Sequence, residues 1–203
     1  LIVLNLTIQI RKRYKERGSE VALELSRCLF FYALAPIQML DTFLLDKITV
    51  ESMGYIASFG YATAILFSSI ANFFLIRFTY HLYSKPPFKA PNIIGGLDIL
   101  MGILFFIFRV QNIELISIFF LLMHILFSTI IGLTLGIKSH KVAAKIENKL
   151  ERWGFHLIGS FGWLIIITFI LFLIESLVGF GNFTIYGSIA WVCGTFGAFN
   201  AYV

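Results

Sequence analysis

His124 is the residue whose type and setting most suggest chemistry. It stands near the centre of the apolar run Ile113 to Ile137, far from the charged ends of that run. A histidine there suits axial ligation of haem iron, proton or ligand sensing, or a satisfied polar contact. Haem in a helical bundle wants a second histidine at matching depth. His81, His140 and His156 fall instead at the ends of apolar runs, and His140 lies about 160° around the same helix from His124. No cofactor is expected, and a contact from His124 to Asn72 or Gln38 is the simplest reading. A retinal Schiff base needs a lysine within a helix, whereas every lysine here falls between apolar runs. Cys28 and Cys193 lie inside apolar runs without CxxC or zinc spacing and read as small buried hydrophobes, not metal ligands. HExxH, GxSxG and phosphate-loop signatures are absent. The polar residues show no clustering of the kind an intramembrane hydrolase needs. The chain therefore reads as non-enzymatic, with no catalytic residues.

Other ionisable residues lie inside or at the edge of apolar runs, where each is costly and a functional candidate. Arg27 lies about 9 Å into its run, and Asp98 lies at a matching depth in another, entered from the same side. An Arg27–Asp98 ion pair is open to them, and Glu24 could join it. Such a pair would either fix packing and register or mark a proton or ion path. Asp41, Arg109 and Glu175 fall near the opposite helix ends, where they either meet headgroups or line an outer vestibule. Asn182-Phe183-Thr184 is a glycosylation sequon on that side, close against the membrane.

The elements that must position these residues follow from composition. The chain has 203 residues, 59% hydrophobic and only 13% charged, with a mean hydropathy of +0.88. A soluble domain carries about 25% charge. A chain this apolar predicts an all-α integral membrane bundle in one transmembrane domain. The runs Val21 to Leu45, Met53 to Ile76, Ile93 to Phe108, Ile113 to Ile137, Phe155 to Ile174 and Phe183 to Val203 are candidate spans. Leu1 to Ile10 is about 15 Å as helix, half a bilayer core, and reads as the tail of a further span. It does not fit a signal peptide, because its charges follow the apolar run. The expectation is about seven passes. Alternation is missing and the runs exceed the roughly ten residues of a barrel strand.

Charge fixes the orientation. Arg11, Lys12, Arg13, Lys15 and Arg17 occupy the first connection, Arg77, Lys85 and Lys89 the third, and Lys138, Lys141, Lys145, Lys149 and Arg152 the fifth. These are thirteen of the 16 lysines and arginines. Positive loops stay cytoplasmic, so the N-terminus is expected outside and the C-terminus inside the cell membrane. The pI of 9.3 thus reflects topology and not nucleic-acid binding. Lys85 to Pro91 reads as a stiff turn, and Pro36 suggests a break in its helix. Ser139 to Trp153 reads as a short amphipathic helix with Val142, Ile146, Leu150 and Trp153 on one face. With its basic residues and Trp153 it would lie on an anionic inner leaflet or dock a cytoplasmic partner. Small residues line the second full-length run, and Gly132 and Gly136 form a GxxxG. Gly187, Gly194, Gly197 and Ala201 line the last run. These suit close packing within the bundle, or a homodimer face at Gly132 and Gly136.

The layout resembles archaeal seven-helix sensor-type membrane modules, some of them fused to sensor kinases. The basic stretch Arg11 to Arg17, the lead Asn148-Lys149-Leu150-Glu151-Arg152-Trp153-Gly154-Phe155 and the ending Asn200-Ala201-Tyr202 carry the likeness, which spans the chain as spacing. It implies a receptor- or sensor-like bundle with external or lipidic input and cytoplasmic output, and transfers no functional residue. An accessory subunit of a larger membrane complex and a small-solute transporter are the alternatives. A transporter would need broken helices and a polar site at the midplane.

Overall fold

The computed structural model describes residues 2–45, 53–84 and 89–178, which are helical almost throughout, with no strand among them. The helices are α1 Ile2–Arg17, α2 Glu20–Leu45, α3 Met53–Tyr83, α4 Lys89–Val110, α5 Glu114–Ala143 and α6 Lys149–Val178. The expected last span, with Gly194, Gly197, Cys193 and the sequon, lies outside the described residues. So do Asp46, Lys47 and most of the Lys85–Pro91 turn. The side chains of Pro36, Gln38, Asp41 and Glu175 are also outside them, although their backbones fall within α2 and α6.

Among the described residues three helices are long and apolar enough to cross a membrane: Phe59–Tyr83, Lys89–Val110 and Glu114–Ala143. Each reaches about 33 Å or more at helical rise, against a hydrocarbon core near 30 Å. Their outer faces are correspondingly apolar. Leu100, Ile103 and Ile107 on α4 and Leu122, Leu126 and Ile130 on α5 stand exposed at three- and four-residue spacing.

Most helices outrun the apolar stretches that predicted them. The basic segment Arg11 to Arg17 was expected as a loop and is the last part of α1. Lysine, arginine and glutamate propagate a helix as readily as leucine does. What stops α1 is Gly18, whose φ of +65° turns the chain into α2. At the far end of α4, Asn112 takes the same left-handed conformation, φ 57°. Its N–H bonds Arg109 O at 3.1 Å and that of Ile113 bonds Phe108 O at 2.9 Å. This paired closure ends α4 and lets α5 begin almost at once.

The amphipathic helix expected over Ser139 to Trp153 does not form as one piece. Its first turn is the end of α5, residues 144–148 form the corner, and Lys149 opens α6. Asn148 is the reason: its Oδ1 accepts from Leu150 N at 3.0 Å, an N-cap that starts a new helix. Leu150 and Trp153 are exposed, while Val142 and Ile146 are half-buried.

Helix α3 is the centre of the bundle, packed against α2, α4 and α5, while α1 lies on α2 and α6 on α5. Tyr32 on α2 meets Phe161 on α6 edge-on. Gly132 and Gly136 serve the α5–α6 contact. A Cβ on Gly132 would sit 2.7 Å from Gly162 O, and one on Gly136 would sit 3.1 Å from the Trp163 ring. The GxxxG is therefore filled within the chain by Gly159, Gly162 and Trp163, which disfavours it as a homodimer face. Gly162→Ala is expected to destabilise the bundle by about 1 to 3 kcal/mol, the usual range for overpacking against backbone. Gly154→Ala, with nothing within 4 Å of its Cβ, is expected to leave stability unchanged or slightly raised. Thermal unfolding of both variants in detergent checks this; equal midpoints would mean that α6 does not depend on the close approach.

Candidate functional site

Asp98, His124, Asn72, Ser69, Ser128 and Tyr32 meet where α2, α3, α4 and α5 converge. Asp98 and His124 are fully buried. Asp98 lies in the middle of α4, because that helix begins at Lys89 and not at the expected Ile93. Asp98 is therefore deeper than its sequence setting suggests, level with His124. The turn at Gln111–Asn112 lies almost midway between them in sequence, so the α4–α5 hairpin sets them face to face. His124 Nδ1 stands 2.7 Å from Asp98 Oδ1.

The small residues of α4 make room for this. Gly95 and Gly102 flank Asp98 on the buried face. A Cβ on Gly95 would meet the Phe73 Cα at 3.0 Å, and one on Gly102 would meet the Ser69 Cβ at 2.9 Å. The absence of side chains there brings α3 close enough for Asn72 to donate to Asp98 Oδ2 at 2.9 Å.

Asn72 uses its whole amide. Its second hydrogen goes to Ser128 Oγ at 2.7 Å, and its Oδ1 accepts from the Tyr32 hydroxyl. Ser128 in turn donates to His124 O at 2.8 Å. Because a carboxylate only accepts, His124 Nδ1 carries the hydrogen; Ser69 Oγ lies 3.1 Å from the same nitrogen. The other nitrogen, Nε2, faces Ser68 Oγ at 2.9 Å. Ser68 also reaches Ile65 O at 2.9 Å. Two proton arrangements therefore both close. A neutral ring accepts from the Ser68 hydroxyl. A charged ring donates to that oxygen while the hydroxyl turns to Ile65 O. They differ by one proton and the rotation of one hydroxyl.

Asp98, His124 and Ser68 are wired in the order of a hydrolytic triad. Two features set them apart from one. Ser68 lies inside α3, where backbone N–H groups are committed to the helix, so among the described residues no backbone pair offers an oxyanion hole beside it. The Asn72 amide is already held by Asp98 and Ser128.

The structure departs from the sequence expectations in three respects. The polar residues do cluster, although Asn72 and Ser128 are 56 positions apart and Asp98 and His124 are 26 apart. The Arg27–Asp98 pair does not form. Glu24, fully buried, takes Arg77 instead, with Nη2 at 2.9 Å and Nε at 3.0 Å from Oε1. Arg27 reaches the same oxygen at 3.6 Å. The expected contact from His124 to Asn72 is indirect, through Asp98 and Ser128. Both nitrogens of His124 hold hydrogen bonds. Arg109 lies in the last turn of α4, at the other end from Arg27 and Arg77.

A second polar group sits at the end of α3 and α5. Tyr83 and Ser139 share a hydrogen bond of 2.6 Å. Lys138 donates to Ser84 at 3.2 Å and lies over the Tyr80 ring. His140 and His156 meet through their Nδ1 atoms at 2.9 Å, one donating and one accepting. Of the basic surface candidates, Lys141, Lys145 and Lys149 are exposed and Arg152 is half-buried. Among the described residues no group of three or more His, Cys, Asp or Glu is placed to hold a metal ion.

Removing one partner of a buried charged pair strands the other, at a cost of about 3 to 5 kcal/mol. Asp98→Leu and His124→Leu are each expected to destabilise on that scale, and the double variant less than the sum. Arg27→Gln with Asp98→Asn is expected to be additive. A double-variant cycle on unfolding in detergent reads this, and additive Asp98 and His124 effects would deny the pairing. No family profile, curated protein or solved structure matches the chain.

Proposed function

We propose that this chain is a non-enzymatic membrane protein of receptor or sensor type, with about seven passes, its N-terminus outside and its C-terminus in the cytoplasm. The observation that carries the reading is the Asp98–His124 pair, fully buried and hydrogen-bonded, at mid-height of helices long enough to span. Ionisable groups at that depth are expensive and mark function by default. A sensor needs an element with two arrangements, and the Ser68 hydroxyl, within reach of both His124 Nε2 and Ile65 O, supplies one. Helices α3 and α5 run from the network to the basic end, where Tyr83–Ser139 and Lys138–Ser84 tie them together. A change in the network is thus delivered to the positively charged face. The placement of Ser68 inside α3, with no oxyanion donor beside it among the described residues, supports the non-enzymatic reading. A carrier would need broken helices, whereas α3, α4 and α5 run unbroken through the network.

One observation favours a second reading, an accessory subunit: the apolar stripes on α4 and α5 would suit neighbouring helices as well as lipid. Distance measurement separates the two. With Cys28 and Cys193 replaced by serine, spin labels are placed at Lys89 and Lys141, both exposed. Asp98→Asn, which mimics a protonated carboxyl, is expected to shift the distance distribution in nanodiscs. Identical distributions would leave a static packing role. For orientation, a cysteine at Lys145 is expected to react with an impermeant maleimide only after the cytoplasmic face is opened. Reaction on intact cells would invert the topology.

A further inference from the structure

The ion cluster beside the network carries a separate inference, which rests on the membrane reading but not on sensing. Arg27 on α2, Arg77 on α3 and Glu24 on α2 touch at the end of the bundle that holds the other basic residues. Both guanidiniums lean on one carboxylate oxygen, Glu24 Oε1. The other oxygen, Oε2, is buried without a hydrogen-bond partner. Three touching charges therefore sum to one unit positive.

The surplus charge sits at an uncomfortable depth. Arg77 follows Asn72 by five positions and Arg27 precedes Tyr32 by five, so both Cα atoms lie about 7.5 Å along their helices from the network. That is within the hydrocarbon half-thickness of about 15 Å. Yet the Arg27 side chain is 46% exposed and that of Arg77 30%. An exposed guanidinium at that depth is tolerated when its head rises to meet a phosphate.

The cluster is also built, not floppy. The Arg27 guanidinium lies over the Phe74 ring and that of Arg77 over Phe73, each 5.6 Å from the centroid. Phe31 stacks on Phe74 beneath. Arg77 commits Nε and Nη2 to Glu24 and reaches Asn92 Oδ1 at 3.4 Å through Nη1. Arg27 makes only its 3.6 Å contact with Glu24 among the described hydrogen-bond and ion-pair partners, so most of its fork of donors faces outward. Phe30, one turn deeper on the same face, is exposed. A fixed cationic fork followed towards the bilayer centre by an exposed aromatic is the order of a phospholipid, headgroup then chain.

We infer that Arg27, backed by Arg77, binds the phosphate of an anionic phospholipid, which brings the cluster to neutrality. The site holds one lipid through a charge-assisted fork and is distinct from general attraction of the basic segments to the leaflet.

Native mass spectrometry of the purified protein, with phosphatidylglycerol titrated against phosphatidylcholine, tests this. The wild type is expected to retain one phosphatidylglycerol in preference. Arg27→Gln is expected to weaken retention about tenfold, the loss of a hydrogen bond to a charged group. Arg27→Lys, which keeps the charge without the fork, falls between. Lys12→Gln, an exposed charge on α1, leaves retention unchanged. Equal retention of the two lipids, or an equal effect of Lys12→Gln, overturns the site. Displacement by inorganic phosphate at the lipid's concentration overturns the lipid as its source. Extraction of the protein from cell membranes by alkaline carbonate would instead sink the membrane reading itself, and is scored separately.

Discussion

The hydrogen bond between Asp98 and His124 is the constraint to which the rest of the bundle answers. A carboxylate far from water must be neutralised or paired, and among the described residues the basic group that meets it is on the next helix. Everything nearby serves that contact. Gly95 and Gly102 thin α4 so that α3 can approach. Asn72 supplies the second donor and is itself held by Tyr32 and Ser128. Around this polar centre the contacts revert to aliphatic and aromatic packing, and outside it to lipid-like surface. The usual layering of a water-soluble protein is inverted.

The glutamate end of α2 follows the same rule with a different outcome. Glu24 is as buried as Asp98, but its partners are arginines with long stems that reach it from near the surface. Asp98 is held by short side chains on helices that touch, Glu24 by long ones that stretch. The first arrangement is a closed contact among fixed helices. The second leaves a cation partly outside, where it has work still to do.

Much of this was legible in the sequence. The apolar runs located every described helix, and His124, Asp98, Arg27 and Glu24 stood out because ionisable residues in such runs are rare. Their pairing was not legible. Depth was judged from where apolar runs end, but helices continue through Lys, Arg, His and Tyr, so Asp98 seemed shallower than it is and was matched to Arg27. Ser68, Ser69, Asn72 and Ser128 are individually unremarkable polar residues of α3 and α5. Three- and four-residue spacing places Ser68, Ser69 and Asn72 along one side of α3, and that was the signal available. The corner at 144–148 was hidden because the hydrophobic periodicity of Ser139 to Trp153 carries across it, while the Asn148 cap that breaks it is one residue.

The turn at Gln111–Asn112 has a consequence for how such a protein enters its membrane. Helices α4 and α5 are joined by three residues, Gln111 to Ile113, with Asp98 and His124 at nearly equal distance on either side. As the two emerge from the ribosome, acid and base come opposite each other before any third helix is needed. The hairpin can thus partition into lipid as a unit, its charge already masked, whereas α4 alone would carry a bare carboxylate to the middle of the bilayer. Lengthening that link would leave the finished fold its contacts but remove this order of events.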